Sequence, residues 1–183
     1  MLLRKKIQLY CAGLLVSLLA CAPALAQLKA GAAAPSFTAP AALAGQTYNF
    51  VLADALKKGP VVVYFYPKAF TTGCTIEAQL FAEATDKFAA LKATVIGVSG
   101  DDIETLKKFS QGPCGGKFAV AADLDRSIIK AYDAGMLIMP SMASRISYVV
   151  TPDSKILFVH NGMSPDQHVS STLAALQAWQ AKR

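Results

Sequence analysis

Val61-Val62-Val63-Tyr64-Phe65-Tyr66-Pro67-Lys68-Ala69-Phe70-Thr71-Thr72-Gly73-Cys74-Thr75-Ile76-Glu77 is the stretch on which the reading of this chain turns. Val61 to Tyr66 is an unbroken β-branched and aromatic run, short enough for a buried strand. Pro67 stops it, and after a short loop a helix opens at about Cys74. Further along, Ala78, Phe81, Ala82, Phe88 and Ala89 share one helical face, with Thr85 as its polar interruption. A thiol in the first turn of a helix meets unpaired N–H groups and the positive end of the macrodipole. Both favour thiolate over thiol, so Cys74 is the candidate reactive residue.

Working outward, Thr94 to Ser99 reads as a second buried strand. Asp101 with Glu104 has the spacing of a capping box, opening a helix that buries Ile103, Leu106 and Phe109. Phe118 to Val120 is a short strand and Asp125 to Tyr132 a short helix. Ile146 to Val150 and Ile156 to His160 are strands joined by the turn Thr151-Pro152-Asp153-Ser154. Ser164, Pro165 and Asp166 start the last helix, whose apolar stripe is Val169, Leu173 and Leu176 with Trp179 beside it. Residues 27 to about 45, rich in Ala, Pro and Gly, read as chain outside the core. The order is β-α-β-α-(β-α)-β-β-α, a parallel half followed by an antiparallel half. That order predicts an α/β protein with a thioredoxin-like fold, a central mixed sheet flanked by helices on both faces.

The 183 residues are 54% hydrophobic and 16% charged, which excludes disorder and suits one domain behind a leader. No apolar run in the body is long enough to span a bilayer. Of the 18 basic residues, Arg4, Lys5 and Lys6 stand at the extreme N-terminus, leaving 15 against 12 acidic ones elsewhere. With no basic stripe and no interleaved aromatics, nucleic acid is not an expected partner. Those three charges, the apolar Ile7 to Ala20 and the small-x-small Ala24-Leu25-Ala26 read as an export signal over residues 1–26. Its apolar stretch, roughly 21 Å as helix, is too short for a hydrocarbon core of about 30 Å. The expected product is a single domain over 27–183, exported to the periplasm or beyond, with no membrane insertion once the signal is removed. The alternative is a lipoprotein acylated at Cys21 in Leu18-Leu19-Ala20-Cys21, against which Leu19 counts. Either way Cys74 and Cys114 are the body's two cysteines, too few for a disulfide scaffold. They could form one structural bridge or a reactive pair.

Pro67-x-x-x-Thr71-x-x-Cys74 resembles the active-site signature of the peroxiredoxins, thiol peroxidases on a thioredoxin-like fold. The flanking Phe65-Tyr66-Pro67, Thr75 and Glu77 look most like the Q-type, bacterioferritin-comigratory subgroup, and the resemblance runs from about Ala34 to Trp179. It implies that Cys74 is the peroxidatic cysteine, oxidised by peroxide to sulfenic acid. It implies that Thr71 presents its hydroxyl to thiolate and peroxide, that Pro67 shields the thiolate from water, and that Arg145 is the distant arginine the family needs. Glu77, one turn after Cys74, is read either as orienting Arg145 or as an exposed carboxylate. A free thiol is roughly 3% ionised at pH 7, so full ionisation gains only about 30-fold, or about 2 kcal/mol. Arg145, the Cys74 N–H and the Thr71 hydroxyl would therefore have to stabilise charge on the leaving oxygen as well.

Many Q-type proteins carry a resolving cysteine five residues after the first; here that position is Gln79. A second arrangement of the subgroup puts it after the next βα unit, where Cys114 lies beside Pro113 and near Gly112, Gly115 and Gly116. The resemblance then implies an intramolecular Cys74–Cys114 disulfide formed after local unwinding, and often a monomer. A structural bridge between the same residues would instead contribute about 4 kcal/mol, lost on reduction. The family needs no haem, flavin or metal; its partners are a peroxide and a thioredoxin-like or other thiol reductant. The competing reading is an exported thiol-disulfide oxidoreductase, but Glu77 holds the place where Cys-x-x-Cys has its second cysteine. A metallochaperone would want paired cysteines with a histidine in register. Met136, Met139 and Met142 read as gap-fillers, and His160 and His168 lack ligand spacing with either cysteine.

Overall fold

The structure is a computed structural model and describes residues 27–139 and 141–183. The expected export signal, with Cys11 and Cys21, lies outside the described residues.

The elements are β1 (Thr38–Leu43), β2 (Gln46–Val51), α1 (Leu52–Leu56), β3 (Val61–Phe65), α2 (Thr72–Glu83), α3 (Thr85–Ala90), β4 (Thr94–Ser99), α4 (Ile103–Gln111), β5 (Ala119–Ala122), α5 (Ser127–Ala131), β6 (Ile146–Val150), β7 (Ile156–Asn161) and α6 (Pro165–Gln180). They build a seven-stranded sheet in the order β2-β1-β5-β4-β3-β6-β7. The β3–β4 and β4–β5 pairs are parallel and the rest antiparallel, giving the mixed thioredoxin-like α/β sheet that the element order predicts.

β3 shows why its sequence is apolar at every position. Val61, Val63 and Phe65 pack into one core with Leu52, Leu56, Ile129 and Tyr132. Val62, Tyr64 and Tyr66 face the other way, into a second core with Phe81, Phe88, Leu106, Phe109 and Leu176. Helices cover both faces, so neither side of the strand reaches water, and alternation is lost from the sequence. The second core has an aromatic column. The Phe81 and Tyr64 rings lie 4.4 Å apart, Tyr64 and Tyr66 5.4 Å, and Tyr66 and Phe109 5.6 Å.

Three expectations differ from the structure. The Ala- and Pro-rich segment read as lying outside the core forms most of the β1–β2 hairpin, and β1 sits against β5 inside the sheet. Ala39, Ala41 and Ala42 are buried there, small side chains sufficing where helices press close. The single helix expected across Ala78 to Ala89 is two, α2 and α3, broken at Ala84. Next to the break Thr85 donates back to the Phe81 carbonyl, a bond that bends helices, and Ala89 is exposed. Asp102, not Asp101, caps α4: its carboxylate accepts from the Thr105 N–H at 2.9 Å.

Candidate active site

Three elements bring the site together. β3 delivers the chain to the loop 67–71, α2 begins there, and β6 approaches from the opposite side of β3. Tyr64 pairs with Ser147 and Val62 with Val149, so 145, 147 and 149 share the face that carries α2. Arg145, immediately before β6, is thereby aimed at the start of α2.

α2 takes Thr71 as its N-cap, and the first bond within the helix runs from the Thr75 N–H to the Thr71 carbonyl at 2.8 Å. The N–H groups of Thr72, Gly73 and Cys74 therefore have no helical acceptor and point out of the helix end. Cys74 stands among them, 2% exposed and free. Arg145 is 6% exposed and spans two acid groups with one guanidinium. Its Nη2 lies 3.6 Å from the Cys74 Sγ, and its Nη1 donates to Oε2 of Glu77. Gly73 makes the approach possible, since a Cβ there would stand 3.0 Å from Nη2. Sequence reasoning passed over that glycine.

Glu77 is fully buried, which removes the reading of it as an exposed carboxylate. Burial pushes its carboxyl up to about 8, against the opposing pull of Arg145. Its second oxygen, Oε1, has no hydrogen-bond partner, and Nδ1 of His168 lies 3.8 Å from it, beyond hydrogen-bond distance. His168, read from sequence simply as a helix residue, is likewise fully buried. Nothing in its spacing foretold this, because α6 and α2 meet only in the tertiary structure.

The loop before α2 is held by a residue that the sequence assigned elsewhere. Asp101 Oδ2 accepts from the Ala69 N–H and from the Ser99 hydroxyl, each at 2.8 Å, and so ties loop 67–71 to the end of β4. Phe70, in the left-handed region at φ 64, stacks edge-on against Phe109 of α4 at 5.2 Å. Pro67 is half-buried beside the loop. Thr71 is exposed, and its hydroxyl hydrogen is given to the Lys68 carbonyl at 2.9 Å, which leaves the oxygen's lone pairs as what it can offer a neighbour.

Cys114 is free and fully buried in the turn after α4, in the same core as Cys74. Its N–H donates to the Phe109 carbonyl, and Gly115 and Gly116 both take positive φ to turn the chain. Burial pushes the Cys114 thiol far up, so the side chain is a protonated thiol where it stands. The two cysteines are brought into one core without being bonded. Among the described residues no cluster of His, Cys, Asp or Glu could hold a metal ion, and no helix is long and apolar enough to cross a membrane.

Residues 30–159 match the AhpC/TSA family. Peroxiredoxin Q of Oryza sativa subsp. japonica chloroplasts is 32% identical over 156 residues, covering 83% of this chain and 68% of that protein. The Populus jackii peroxiredoxin Q is 32% identical over 157 residues, covering 84% and 70%. Among solved structures, peroxidoxin BcpB from Mycobacterium tuberculosis superposes with a TM-score of 0.75 at 29% identity, over 82% of this chain and 97% of that one. Xanthomonas campestris peroxiredoxin Q gives 0.66 at 26%, over 76% and 89%. With a buried thiol at a helix start, a guanidinium beside it and these relatives over most of its length, the chain belongs to the AhpC/TSA family, among peroxiredoxins of the Q type.

Proposed function

We propose that this peroxiredoxin is a thiol peroxidase that reduces hydrogen peroxide and small organic hydroperoxides through Cys74. The observation that carries the reading is the Arg145 guanidinium, 3.6 Å from a sulfur that also sits at the open N–H end of α2. Positive charge and free donors converge where negative charge must reside, first on sulfur and then on the departing oxygen. The Cys74 thiolate attacks one peroxide oxygen, the O–O bond breaks, and the alkoxide or hydroxide leaves and takes up a proton. The sulfur becomes a sulfenic acid. Arg145 and the Cys74 N–H stabilise the leaving oxygen; Thr71 supplies a lone pair to orient the peroxide proton, and Pro67 limits water.

Resolution is assigned to Cys114. Its thiol loses a proton and attacks the Cys74 sulfur, water leaves, and an intramolecular disulfide remains. A thioredoxin-like or other dithiol returns two electrons and restores both thiols. Both sulfurs are buried with aromatic side chains of the second core around them, so the step requires the first turn of α2 and the end of α4 to open. The protein acts as a monomer outside the cytoplasm after loss of residues 1–26, with acylation at Cys21 as the alternative. Intact mass of the mature protein tests this: a chain beginning at Gln27 is expected, and an acylated Cys21 terminus overturns the soluble form. Peroxide consumption by the reduced protein with excess dithiol tests the activity. Turnover is expected in the wild type and lost in Cys74→Ser; turnover that survives Cys74→Ser overturns the reading.

A further inference from the structure

Cys114 sits in a turn that is bolted, on both sides of the cysteine, to the β1–β2 hairpin. The turn hangs from the end of α4: the Cys114 N–H donates to the Phe109 carbonyl at 3.2 Å and the Gly116 N–H to the Ser110 carbonyl at 2.9 Å. Ser110 also carries a hydroxyl, and the residue is fully buried. That hydroxyl gives its hydrogen to the Lys107 carbonyl at 2.7 Å and accepts the Gly45 N–H at 3.0 Å. Gly45 stands 65 positions earlier in the chain, between β1 and β2.

The hairpin is a firm anchor. Leu43 pairs with Gln46, so Ala44 and Gly45 form a two-residue turn, and both take the positive φ, 49 and 79, that such a turn requires. β1 is held on one side by β2 and on the other by β5. A Cβ at Gly45 would meet the Gln111 side chain at 2.4 Å, and one at Gly116 would stand 3.3 Å from the Cβ of Ala44. The hairpin turn therefore lies against Ser110 and Gln111 before the cysteine and against Gly116 after it.

Opening the end of α4 breaks the Gly45–Ser110 bond and lets water take both groups. Without the hydroxyl, the Gly45 N–H loses its acceptor only while the segment is closed, so the closed form alone is penalised. We propose that Ser110 is a positioning residue of the resolving step: through its hydroxyl the β1–β2 turn latches the end of α4, and release of that latch precedes the meeting of Cys114 with Cys74. The latch sets how long the Cys74 sulfenic acid waits for its thiol. This kinetic consequence rests on Cys114 being the resolving cysteine; the joint opening of Gly45 and Cys114 does not.

Amide exchange and rapid kinetics on the reduced protein test the proposal. In the wild type the Gly45 and Cys114 amides should exchange with equal protection, because one opening frees both. In Ser110→Ala the Cys114 amide should exchange about three- to tenfold faster, the loss of one net hydrogen bond. After one equivalent of hydrogen peroxide, disulfide formation should accelerate by the same factor while the peroxide-dependent oxidation of Cys74 keeps its rate. Leu56→Val, a loss of packing in the opposite core, should lower stability and leave the disulfide step unchanged. A Gly45 amide that stays protected while Cys114 exchanges overturns the proposal, as does a Ser110→Ala protein with wild-type exchange at Cys114 or a wild-type disulfide step. The wild-type amides decide it if Ser110→Ala does not fold. A wild type that forms no Cys74–Cys114 disulfide would sink the resolving role of Cys114, and the two amides would still decide the latch.

Discussion

Nη2 of Arg145 stands 3.6 Å from Sγ of Cys74, two residues 71 positions apart in the chain. The side chain reaches the sulfur because β6 pairs antiparallel with β3, so that the residue just before β6 arrives where the loop after β3 turns into α2. Arg145→Ala removes a donor aimed at the leaving oxygen, at a typical cost of about 10²–10³ in rate. Arg145→Lys restores the charge but not the fork that holds sulfur and Glu77 together, so it should recover only part of the loss. Stopped-flow rates with hydrogen peroxide, compared at equal thiolate fraction, check both.

Gly73 is the clearance for that guanidinium. A methyl group at this position meets Nη2 at 3.0 Å, tighter than most such contacts, and Arg145 must give way. Alanine is the better helix former by about 1 kcal/mol, so Gly73→Ala should hold or raise stability while lowering the peroxidase rate by tenfold or more. Urea titration and kcat/KM on the same preparation separate the two effects.

Asp101 clamps the loop that carries Pro67 and Thr71. Asp101→Ala leaves the Ala69 N–H and the Ser99 hydroxyl without their acceptor, at a cost of about 1–3 kcal/mol. Asp101→Asn keeps one oxygen for them and should lose less. The midpoint of chemical unfolding reads the stability, and amide exchange at Ala69 reads the loop directly.

Glu77 sets a pH dependence of stability. Its folded-state value, about 8, is above the unfolded one, so its contribution is present below about pH 4.5 and is lost as pH rises through 8. His168 runs the other way: its folded value, about 4, is depressed, so its contribution is present above about 6.5 and is lost as pH falls toward 4. Glu77→Gln should therefore gain stability on the wild type between pH 6 and 8. The measurement is the urea midpoint of both proteins across that range; parallel curves would contradict the assignment.

The parts of this protein readable from its sequence are those in which local pattern and tertiary role coincide. β3 is apolar throughout because both of its faces are buried, and Cys74 follows it at a helix start because the fold turns there. β1 of the hairpin is hard to read because its buried residues, Ala39, Ala41 and Ala42, are alanines, whose small size carries little periodic signal. Asp101 and Asp102 are adjacent carboxylates, each a plausible cap, and only the positions of Ala69 and Ser99 decide which one holds the loop. Gly73 meets Arg145, and His168 comes near Glu77, only in the tertiary structure, so no spacing along the chain could reveal them. Arg145 was legible by resemblance alone; its reach to the sulfur comes from the strand register.

The central claim is that Cys74 is oxidised first and that Cys114 then captures it. Mass spectrometry after one equivalent of hydrogen peroxide tests it most directly, on fully reduced wild type, Cys74→Ser and Cys114→Ser, with a sulfenic-acid trap present. The wild type should lose two hydrogens as an intramolecular disulfide, Cys114→Ser should carry the trap on Cys74, and Cys74→Ser should remain unmodified. A trapped Cys114 in the Cys74→Ser protein, or identical behaviour of the two variants, would contradict the account.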